Sequence, residues 1–568
     1  MTFYKIAFNS DVMIHIYKLL SFGDQLRLAQ VDANLRSIFL QYISPICYNK
    51  LTVRKLERGY YMVSNGMDTD RSWIQNSSDF EQFQQFYGST VCDLFAYIPV
   101  RMEFFKNLVK LDCYYIYTIT QDAMVQLTNN LPNLEELQVY AVEFETEPPN
   151  DCIARAIVNE LLRFPKLKKL VLNVLICSYE IKFKDFYEIV TQLPLEIIEI
   201  NFPILFDTDD NELELQQSPL PLMQLETGNN GIDRSYISML NNFPNLNILN
   251  IKECCNEMLR ALNRLTQLHQ LTICNTDFCE EANIILPPNL TALHLDHCFG
   301  LLLDHLQQFL QEKSYSKLIE FVTIGTDFRI KEFKELHISS RIKILNIEGF
   351  NLNQFHSPFV ENSALENLTW HGFGRRFAMF NSISLCHNLH TLDMRSGYLA
   401  LETLLNCTNL KKLSLDRIMP DQEFYVIHIL QDLPLLRELV VQQIVKSSCT
   451  SLQAVVTCVS SIKIIGFEHF DDILGFWFDM FSLNPQLELQ LQCDVHDRNR
   501  LQYLTQHEKF PRNLRKIQIF GFTVDCSKLR NNFESVWKTI SYPLEDYEND
   551  HPYRSECNII MSRNTKLM

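Results

Sequence analysis

A short apolar phrase recurs along this chain and restricts its possible folds more than any other feature. The phrase runs leucine, two variable residues, leucine, one variable residue and a third aliphatic residue. It is clearest three times in succession, at Leu246–Ile251, Leu268–Ile273 and Leu290–Leu295. Its last three positions alternate apolar and variable, as in a short β-strand with one buried face. One copy cannot bury such a face alone, so successive copies are expected to stack strand beside strand.

The phrase can be followed through most of the 568 residues. Copies begin at Leu108, Leu134, Leu167, Leu195, Leu222, Leu246, Leu268, Leu290, Leu318, Ile342, Leu365, Leu389, Leu410, Leu436, Ile462, Leu487 and Leu514. Their mean spacing of about 25 residues lies within the 20–29 residues of leucine-rich repeats. The copies at Leu222 and Leu318 are weak because each ends in threonine, and the copy at Leu487 indicates a shifted register. We predict an α/β solenoid, a leucine-rich-repeat horseshoe with a parallel β-sheet inside and helices outside.

Composition favours a protein partner. A formal charge of -17 argues against nucleic acid or an anionic membrane surface as the main partner. The 17 cysteines include no C-x-x-C pair, so we expect reduced thiols in the cytoplasm or nucleus rather than disulfides or a zinc ribbon. The sequence shows neither a signal peptide nor a membrane-spanning run.

No enzyme motif is present, and we expect no cofactor and no metal. The densest polar cluster is His294, Asp296, His297 and Cys298. Strand alternation places His294 and Asp296 outward and Cys298 inward, so the four side chains are not expected to converge on one ion.

The first 49 residues differ from the repeats. Val12, Ile16, Leu19 and Leu20 recur at helical spacing, Ser21 and Asp24 are typical of a second helix start, and Asp32 can cap a third helix. We therefore predict a small helical domain over 1–49, a junction and capping repeat over 50–107, repeats over 108–535, and a C-terminal cap and tail over 536–568. Within the junction, residues 60–79 have the composition of a surface loop.

The helical segment resembles an F-box. The family pattern maps onto Phe8–Val12, Ile16-Tyr17, Asp24–Leu26 and Val31–Leu35, with Asn9, Asp11 and Leu35 replacing the usual proline, glutamate and tryptophan. An F-box/leucine-rich-repeat protein is also expected to have cysteine-containing repeats, as Cys254 and Cys298 suggest. The resemblance implies docking on the Skp-type adaptor of a cullin-based ubiquitin ligase. The matching adaptor-binding positions are Phe8, Asn9, Val12, Ile16, Leu20, Leu26, Val31 and Leu35.

The candidate client-binding surface is the concave face of the sheet. The second, fourth and sixth residues after each first leucine point away from the core and form rows across the strands. The residues that we single out are Tyr114, Tyr140, His294, Asp296, His371, Asp393 and Arg395, because several are types that interface hot spots favour.

These features predict a non-catalytic substrate-recognition subunit of an SCF-type (Skp-cullin-F-box) ubiquitin ligase, whose repeats bind an unidentified client protein. The alternative is a leucine-rich-repeat scaffold or inhibitor that binds protein outside any ligase, with the N-terminal helices serving only as a cap. Retention of the adaptor by the wild-type chain distinguishes the two.

Overall fold

The computed structural model describes side chains over most of the first 444 residues and only backbone strands beyond them. The described ranges are 9–44, 49–55, 60–64, 71–147, 152–174, 180–205, 221–229, 243–254, 262–278, 284–311, 315–329, 337–350, 363–373, 378–379, 381–394, 397–398, 401–418, 433–444, 461–467, 488–492, 516–522, 537–543 and 557–563, with residues 240, 259 and 359. The chain divides into two compact units: residues 1–276 with 284–287, and residues 277–283 with 288–568.

The first unit begins with three short helices, as predicted: α1 (Ser10–Leu19), α2 (Phe22–Val31) and α3 (Ala33–Ile38). The last one continues as a π-helix over Phe39–Ile43. The Tyr17 hydroxyl donates a hydrogen bond to the Leu35 carbonyl at 3.0 Å, and Gln25 Nε2 donates to the Tyr17 carbonyl at 2.6 Å. These buried contacts join the three helices into one small core.

The starts of the helices are set by polar side chains. Ser21 Oγ accepts a hydrogen bond from the amide of Asp24 at 3.3 Å, and Asp32 Oδ1 accepts one from the amide two residues further on at 2.7 Å. Both caps were predicted from the sequence. Asn9, which stands where the F-box pattern has proline, caps α1 by accepting from the amides of the second and third residues after it.

The helices pack on the rest of the first unit. Helix α4 (Ser77–Tyr87) lies within the junction. The rings of Phe22 and Tyr87 lie 5.8 Å apart, and those of Phe39 and Phe86 lie 6.2 Å apart. The Arg36 guanidinium lies 5.5 Å from the centre of the Phe86 ring.

A mixed sheet forms the body of the first unit. Its strands, with two short pairs at the loops, are β1 (Lys50–Lys55), β2 (Tyr61–Ser64), β3 (Arg71–Ile74), β4 (Asp93–Ala96), β5 (Lys110–Ile119), β6 (Glu136–Phe144), β7 (Thr146–Glu147), β8 (Cys152–Ile153), β9 (Lys169–Val174), β10 (Ile181–Lys182), β11 (Ile197–Ile200), β12 (Ile204–Leu205), β13 (Gln224–Asn229), β14 (Ile248–Lys252) and β15 (Gln270–Cys274). Strands β3, β2 and β1 pair antiparallel. From β1 the order continues in parallel through β4, β5, β6, β9, β11, β13, β14 and β15.

The second unit repeats the parallel pattern. Its strands are β16 (Ala292–Asp296), β17 (Leu301–Leu302), β18 (Glu320–Arg329), β19 (Ile344–Phe350), β20 (Asn367–Phe373), β21 (Ala378–Met379), β22 (Thr391–Met394), β23 (Gly397–Tyr398), β24 (Lys412–Ile418), β25 (Glu438–Ile444), β26 (Ser461–Phe467), β27 (Glu488–Gln492), β28 (Lys516–Phe522), β29 (Trp537–Pro543) and β30 (Cys557–Arg563). Strands β16, β18, β19, β20, β22 and β24 to β28 follow one another in parallel.

Helices connect several of the successive parallel strands. They are α5 (Gln121–Asn130), α6 (Arg155–Leu161) and α7 (Phe183–Gln192) in the first unit, and α8 (Leu303–Leu310) in the second. Shorter copies use 3-10 helices, at Asn381–Leu385 and Leu401–Asn406. Arg155 of α6 pairs with Asp185 and Glu188 of α7, which ties consecutive repeats together.

The core is built from the predicted leucine positions. In the first unit the second apolar residue of each copy stands beside its equivalent in the next strand and is fully buried: Leu111, Leu137, Leu170, Ile198, Leu225, Leu249 and Leu271. Burial of such a side chain stabilises the fold by about 1.5–3 kcal/mol relative to exposure. The sequence and the register agree: this is a leucine-rich-repeat α/β fold.

Each copy is positioned by a repeated turn before its strand. The first leucine donates its amide hydrogen to the carbonyl three residues earlier, as Leu246 does to Phe243 at 3.1 Å and Leu268 to Leu265 at 3.1 Å. The amides of the next two residues both donate to one carbonyl of the preceding copy, which is Met223 for the copy at Leu246. These two hydrogen bonds to one carbonyl fix the register between neighbouring copies.

A left-handed residue follows strands β14, β15 and β16, and another lies within β18 at a shift of its register. Glu253, Asn275, His297 and Gly325 have φ values of 53°, 49°, 49° and 56°. The next residue then points into the core, and Cys254 and Cys298 are buried there as their position predicts. Buried threonines take the same position in other copies, where Thr276 Oγ1 accepts from the Cys254 amide at 2.9 Å. A hydroxyl therefore serves as the ladder group between these repeats.

Two expectations need correction. Residues 60–79 are not one surface loop, because they contain strands β2 and β3 and the start of α4. The copy assigned to Ile462 is displaced, since Ile462 pairs with Leu439 and so occupies the second apolar position. The shifted register expected at Leu487 is confirmed, because it is Leu489 that pairs with Ile462.

The C-terminal segment also differs from the expected loose tail. Strands β29 and β30 lie in it and pair antiparallel with each other, and β30 pairs antiparallel with β28. These strands were not predicted because the composition of the segment is polar. They bring a hydrogen-bonded antiparallel pair to the last repeat strand.

Candidate functional site

The open face of the sheet, opposite the buried leucines, carries the candidate client-binding residues. Tyr114 and Tyr140 lie on it in β5 and β6, and Tyr114 is 36 % exposed. His294 and Asp296 lie on the face in β16, each half-buried. His371 is buried and Asp393 half-buried, and Arg395 lies outside the described residues.

Aromatic side chains form a continuous stack on the open face of the first unit. The rings of Tyr97 and Tyr114 are 4.7 Å apart with an interplanar angle of 11°, and those of Tyr114 and Tyr140 are 4.3 Å apart at 7°. The Arg54 guanidinium covers the other end, 4.1 Å from the centre of the Tyr97 ring. Burial, and next the hydrogen bond to Tyr140, raise the pKa of the Tyr114 hydroxyl, which favours its neutral form.

Strand register extends this stack in the other direction. Arg54 stands opposite Met62 of β2, and Met62 stands opposite Trp73 of β3. Met62 is buried, whereas Trp73 is 56 % exposed. Two further residues, Tyr97 and the Trp73 ring at the far end, were not predicted from the sequence. Apolar and polar residues alternate in Lys50–Lys55, which is the sequence signal for β1. Strands β1 to β3 do not contain the repeat phrase and were therefore not predicted.

Charges alternate along another row of the open face, which lies four residues before the stacked residues in the chain. Lys50 pairs with Asp93 at 3.4 Å, and Lys110 pairs with Glu136 at 3.4 Å. Asp112 lies two residues beyond Lys110 in β5 and is only 2 % exposed. No residue that the structure describes makes a hydrogen bond to its Oδ1. Burial raises the pKa of this carboxyl to about 6, although Lys110 opposes the shift.

The polar cluster of β16 is dispersed as predicted. His294 Nε2 lies 3.0 Å from Glu320 Oε1, and His297 Nδ1 lies 2.6 Å from Asp296 Oδ1. Cys298 is buried and faces the core. In the described ranges no group of three or more histidine, cysteine or acidic side chains has a metal-binding arrangement.

A second acidic cluster lies on the open face of the second unit. His371 Nε2 is 3.2 Å from Asp393 Oδ1, and His371 Nδ1 is 3.7 Å from Glu348 Oε2. Glu348 and His371 are in register on β19 and β20. The two predicted residues, His371 and Asp393, are thus brought together, and Glu348 was the neighbour not singled out from the sequence.

The predicted adaptor-binding positions divide into exposed and buried groups. Val12 is 40 % exposed and Val31 70 % exposed, Ile16 and Leu20 are half-buried, and Asn9 is exposed while capping α1. Phe8 lies outside the described residues.

Leu26 and Leu35 do not fit the prediction. They are 8 % and 1 % exposed, because they fill the core between the three helices. Their side chains are therefore core residues and not contact residues. The inward face of α1 is formed by Met13 and Tyr17, which leaves the stripe of Val12, Ile16, Leu19 and Leu20 facing outward.

Known structures resemble this chain in part. One is an internalin (inlF) from Listeria monocytogenes, 16 % identical, with a TM-score of 0.35, covering 65 % of this chain and 88 % of its own. Another is TLR13 in a TLR13-ssRNA13 complex, 13 % identical, with a TM-score of 0.35, covering 72 % of this chain and 63 % of its own. No family model and no curated protein matches the sequence. Because the TM-scores are low, the fold assignment depends on the repeat register itself.

No described helix is both long and apolar enough to cross a membrane. The open face, with its stacked aromatic side chains and half-buried charges, has the composition of a protein-binding surface.

Proposed function

We propose that this chain is the non-catalytic substrate-recognition subunit of an SCF-type ubiquitin ligase. Helices α1 to α3 dock the Skp-type adaptor, and the open face of the repeats holds a client protein in the cytoplasm or nucleus. The chain contributes proximity: a client lysine held near an activated ubiquitin reacts as if at high concentration.

The outward apolar stripe of α1 is the observation that carries the adaptor assignment. Leu19 is 83 % exposed and Val12 40 % exposed, although the helix has an inward face already filled by Met13 and Tyr17. A solenoid cap needs one apolar face and a polar outer surface. A second, solvent-facing apolar stripe is therefore better explained by a helical partner that covers it.

Co-purification with the adaptor tests the proposal. Val12→Asp with Ile16→Asp places two carboxylates on the stripe, and the matched control Ser10→Asp with Lys18→Asp places two carboxylates on exposed positions of the same helix. We expect wild type and the control to retain the adaptor and the stripe variant to lose it. Circular dichroism verifies that all three are folded. Failure of the wild type to retain the adaptor would refute the proposal.

The second candidate function is a protein-binding scaffold or inhibitor without a ligase. The contact between the helices and α4 favours it, because Phe22 and Phe39 pack on Tyr87 and Phe86 as the side chains of a cap do. Deletion of α1 to α3 separates the candidates. A scaffold would keep its partners if it remained folded, whereas a ligase subunit would lose the adaptor and keep the client.

A further inference from the structure

The row formed by Trp73, Met62, Arg54, Tyr97, Tyr114 and Tyr140 crosses six adjacent strands, from β3 through β2, β1, β4 and β5 to β6. We call it the aromatic row. We propose that the aromatic row binds an extended segment of the client protein that presents a carboxylate side chain to Arg54 and a neighbouring apolar side chain to Trp73. This inference rests on the proposed client-binding role of the open face.

Arg54 supplies the charge argument. Its guanidinium is stacked on Tyr97, and within the described ranges it has no carboxylate partner and its Nε makes no hydrogen bond. The lysines nearby are already compensated, since Lys50 pairs with Asp93 and Lys110 with Glu136. Arg54 is therefore a cation without a carboxylate partner among the described residues of this face, and a guanidinium edge matches a carboxylate in a bidentate pair.

The stack holds Arg54 ready to bind. Stacking against Tyr97 restricts the long arginine side chain before any ligand arrives, so less rotational freedom is lost on binding. Tyr97 is fixed in turn by Tyr114, and Tyr114 by Tyr140, through nearly parallel rings. A rigid row of this kind combines the residue types that dominate interface energetics, namely tryptophan, tyrosine and arginine.

The surroundings favour a carboxylate over a phosphate. Asp93 and Asp112 lie on the same face, two strands or fewer from Arg54. A phosphomonoester, with nearly two negative charges, would be repelled more strongly by them than a single carboxylate would. Trp73, which is more than half exposed beside the buried Met62, provides the apolar contact at the other end.

A random 12-residue peptide display library, selected on the full-length chain, tests the proposal. We expect the selected peptides to carry Asp or Glu next to an aliphatic or aromatic residue. A synthetic peptide of the selected sequence should bind Arg54→Glu at least tenfold more weakly than wild type. The matched control is Lys184→Glu, which reverses an exposed charge on helix α7 and should bind normally.

Charge exchange makes the assignment specific. A peptide with lysine in place of its acidic residue should recover binding to Arg54→Glu, and Trp73→Ala should weaken the original peptide without changing its preference for acid. Peptides without an acidic residue, equal binding by Arg54→Glu, or the absence of any binder would overturn the proposal. A phosphoserine peptide that binds tenfold more tightly than the aspartate peptide would overturn the choice of carboxylate.

The same samples keep this inference separate from the proposed ligase function. Arg54→Glu should still retain the Skp-type adaptor, and Val12→Asp with Ile16→Asp should still bind the acidic peptide. Failure of the wild type to retain the adaptor, with acid selection intact, refutes only the ligase role. Loss of acid selection alone refutes the role of the aromatic row.

Discussion

Replacing Asp112 by asparagine is expected to stabilise the protein at neutral pH. The side chain is 2 % exposed and its pKa is raised from 3.8 to about 6, mainly by burial. A shift of about two pKa units at 1.36 kcal/mol per unit makes the ionised carboxylate cost about 3 kcal/mol in the folded state. Asparagine has nearly the same shape and no charge, so it removes this cost.

The pH dependence follows from the direction of the shift. Between the unfolded pKa and the raised folded pKa, the folded state binds more protons, so its stability falls as the pH rises through this window. The free-energy cost of burying the Asp112 carboxylate reaches nearly its full value at about pH 7.5 and about half of it at about pH 5. The gain in free energy of unfolding of Asp112→Asn over wild type should therefore decrease by about half when the pH is lowered from about 7.5 to about 5.

Urea unfolding of dilute samples, followed by intrinsic fluorescence at both pH values, measures this difference. The matched control is Asp122→Asn, which removes an exposed carboxylate from the first turn of α5. It should change stability by a few tenths of 1 kcal/mol and slightly in the opposite direction. The reasoning is refuted if Asp112→Asn is no more stable than wild type at about pH 7.5, or if its advantage is the same at about pH 5.

Three further substitutions test the repeat geometry and the helical core by the same unfolding assay. Gly325→Ala should destabilise by about 1–3 kcal/mol, because φ is +56° and a Cβ would lie 2.9 Å from the His297 ring; adding His297→Ala should restore only the part due to the contact. Tyr17→Phe should cost about 0.5–1.5 kcal/mol by removing the buried hydrogen bond from α1 to the Leu35 carbonyl, and equal stability would contradict it. Thr276→Val should cost a similar amount, whereas Thr276→Ser should cost less because it keeps the hydroxyl that binds the preceding copy.

Most of the repeat fold could be predicted because its signal is local and repeated. A strand whose leucines have equivalents about 25 residues away on both sides has one energetically reasonable place in the sheet. Where the phrase is degenerate, the predicted start of a copy was misplaced. Ile462 was assigned to the first apolar position, but its pairing with Leu439 places it at the second. Strands β29 and β30 were missed because they pair antiparallel and have no repeat phrase.

The candidate sites were harder to predict because they depend on which side of an element is covered. Helical spacing identified the apolar stripe of α1, but not that Met13 and Tyr17 take the inward positions and leave the stripe exposed. In the same way, Leu26 and Leu35 occupy contact positions of the F-box pattern yet lie in the core. A sequence pattern gives the identity of contact positions only after the internal packing is known.

The centre of the open face links stability to binding in both units. Asp112, Asn250, Asn346 and Ser414 occupy the same place in their copies, four residues after the first leucine. Each has a buried oxygen without a hydrogen-bond partner among the described residues. An unpaired buried polar group costs about 1–3 kcal/mol, whereas an aliphatic residue there would add stability. The cost recurs on the face proposed to bind a client and not at the leucine positions, which is expected if client groups complete these hydrogen bonds. Substitutions that stabilise this row should therefore weaken client binding.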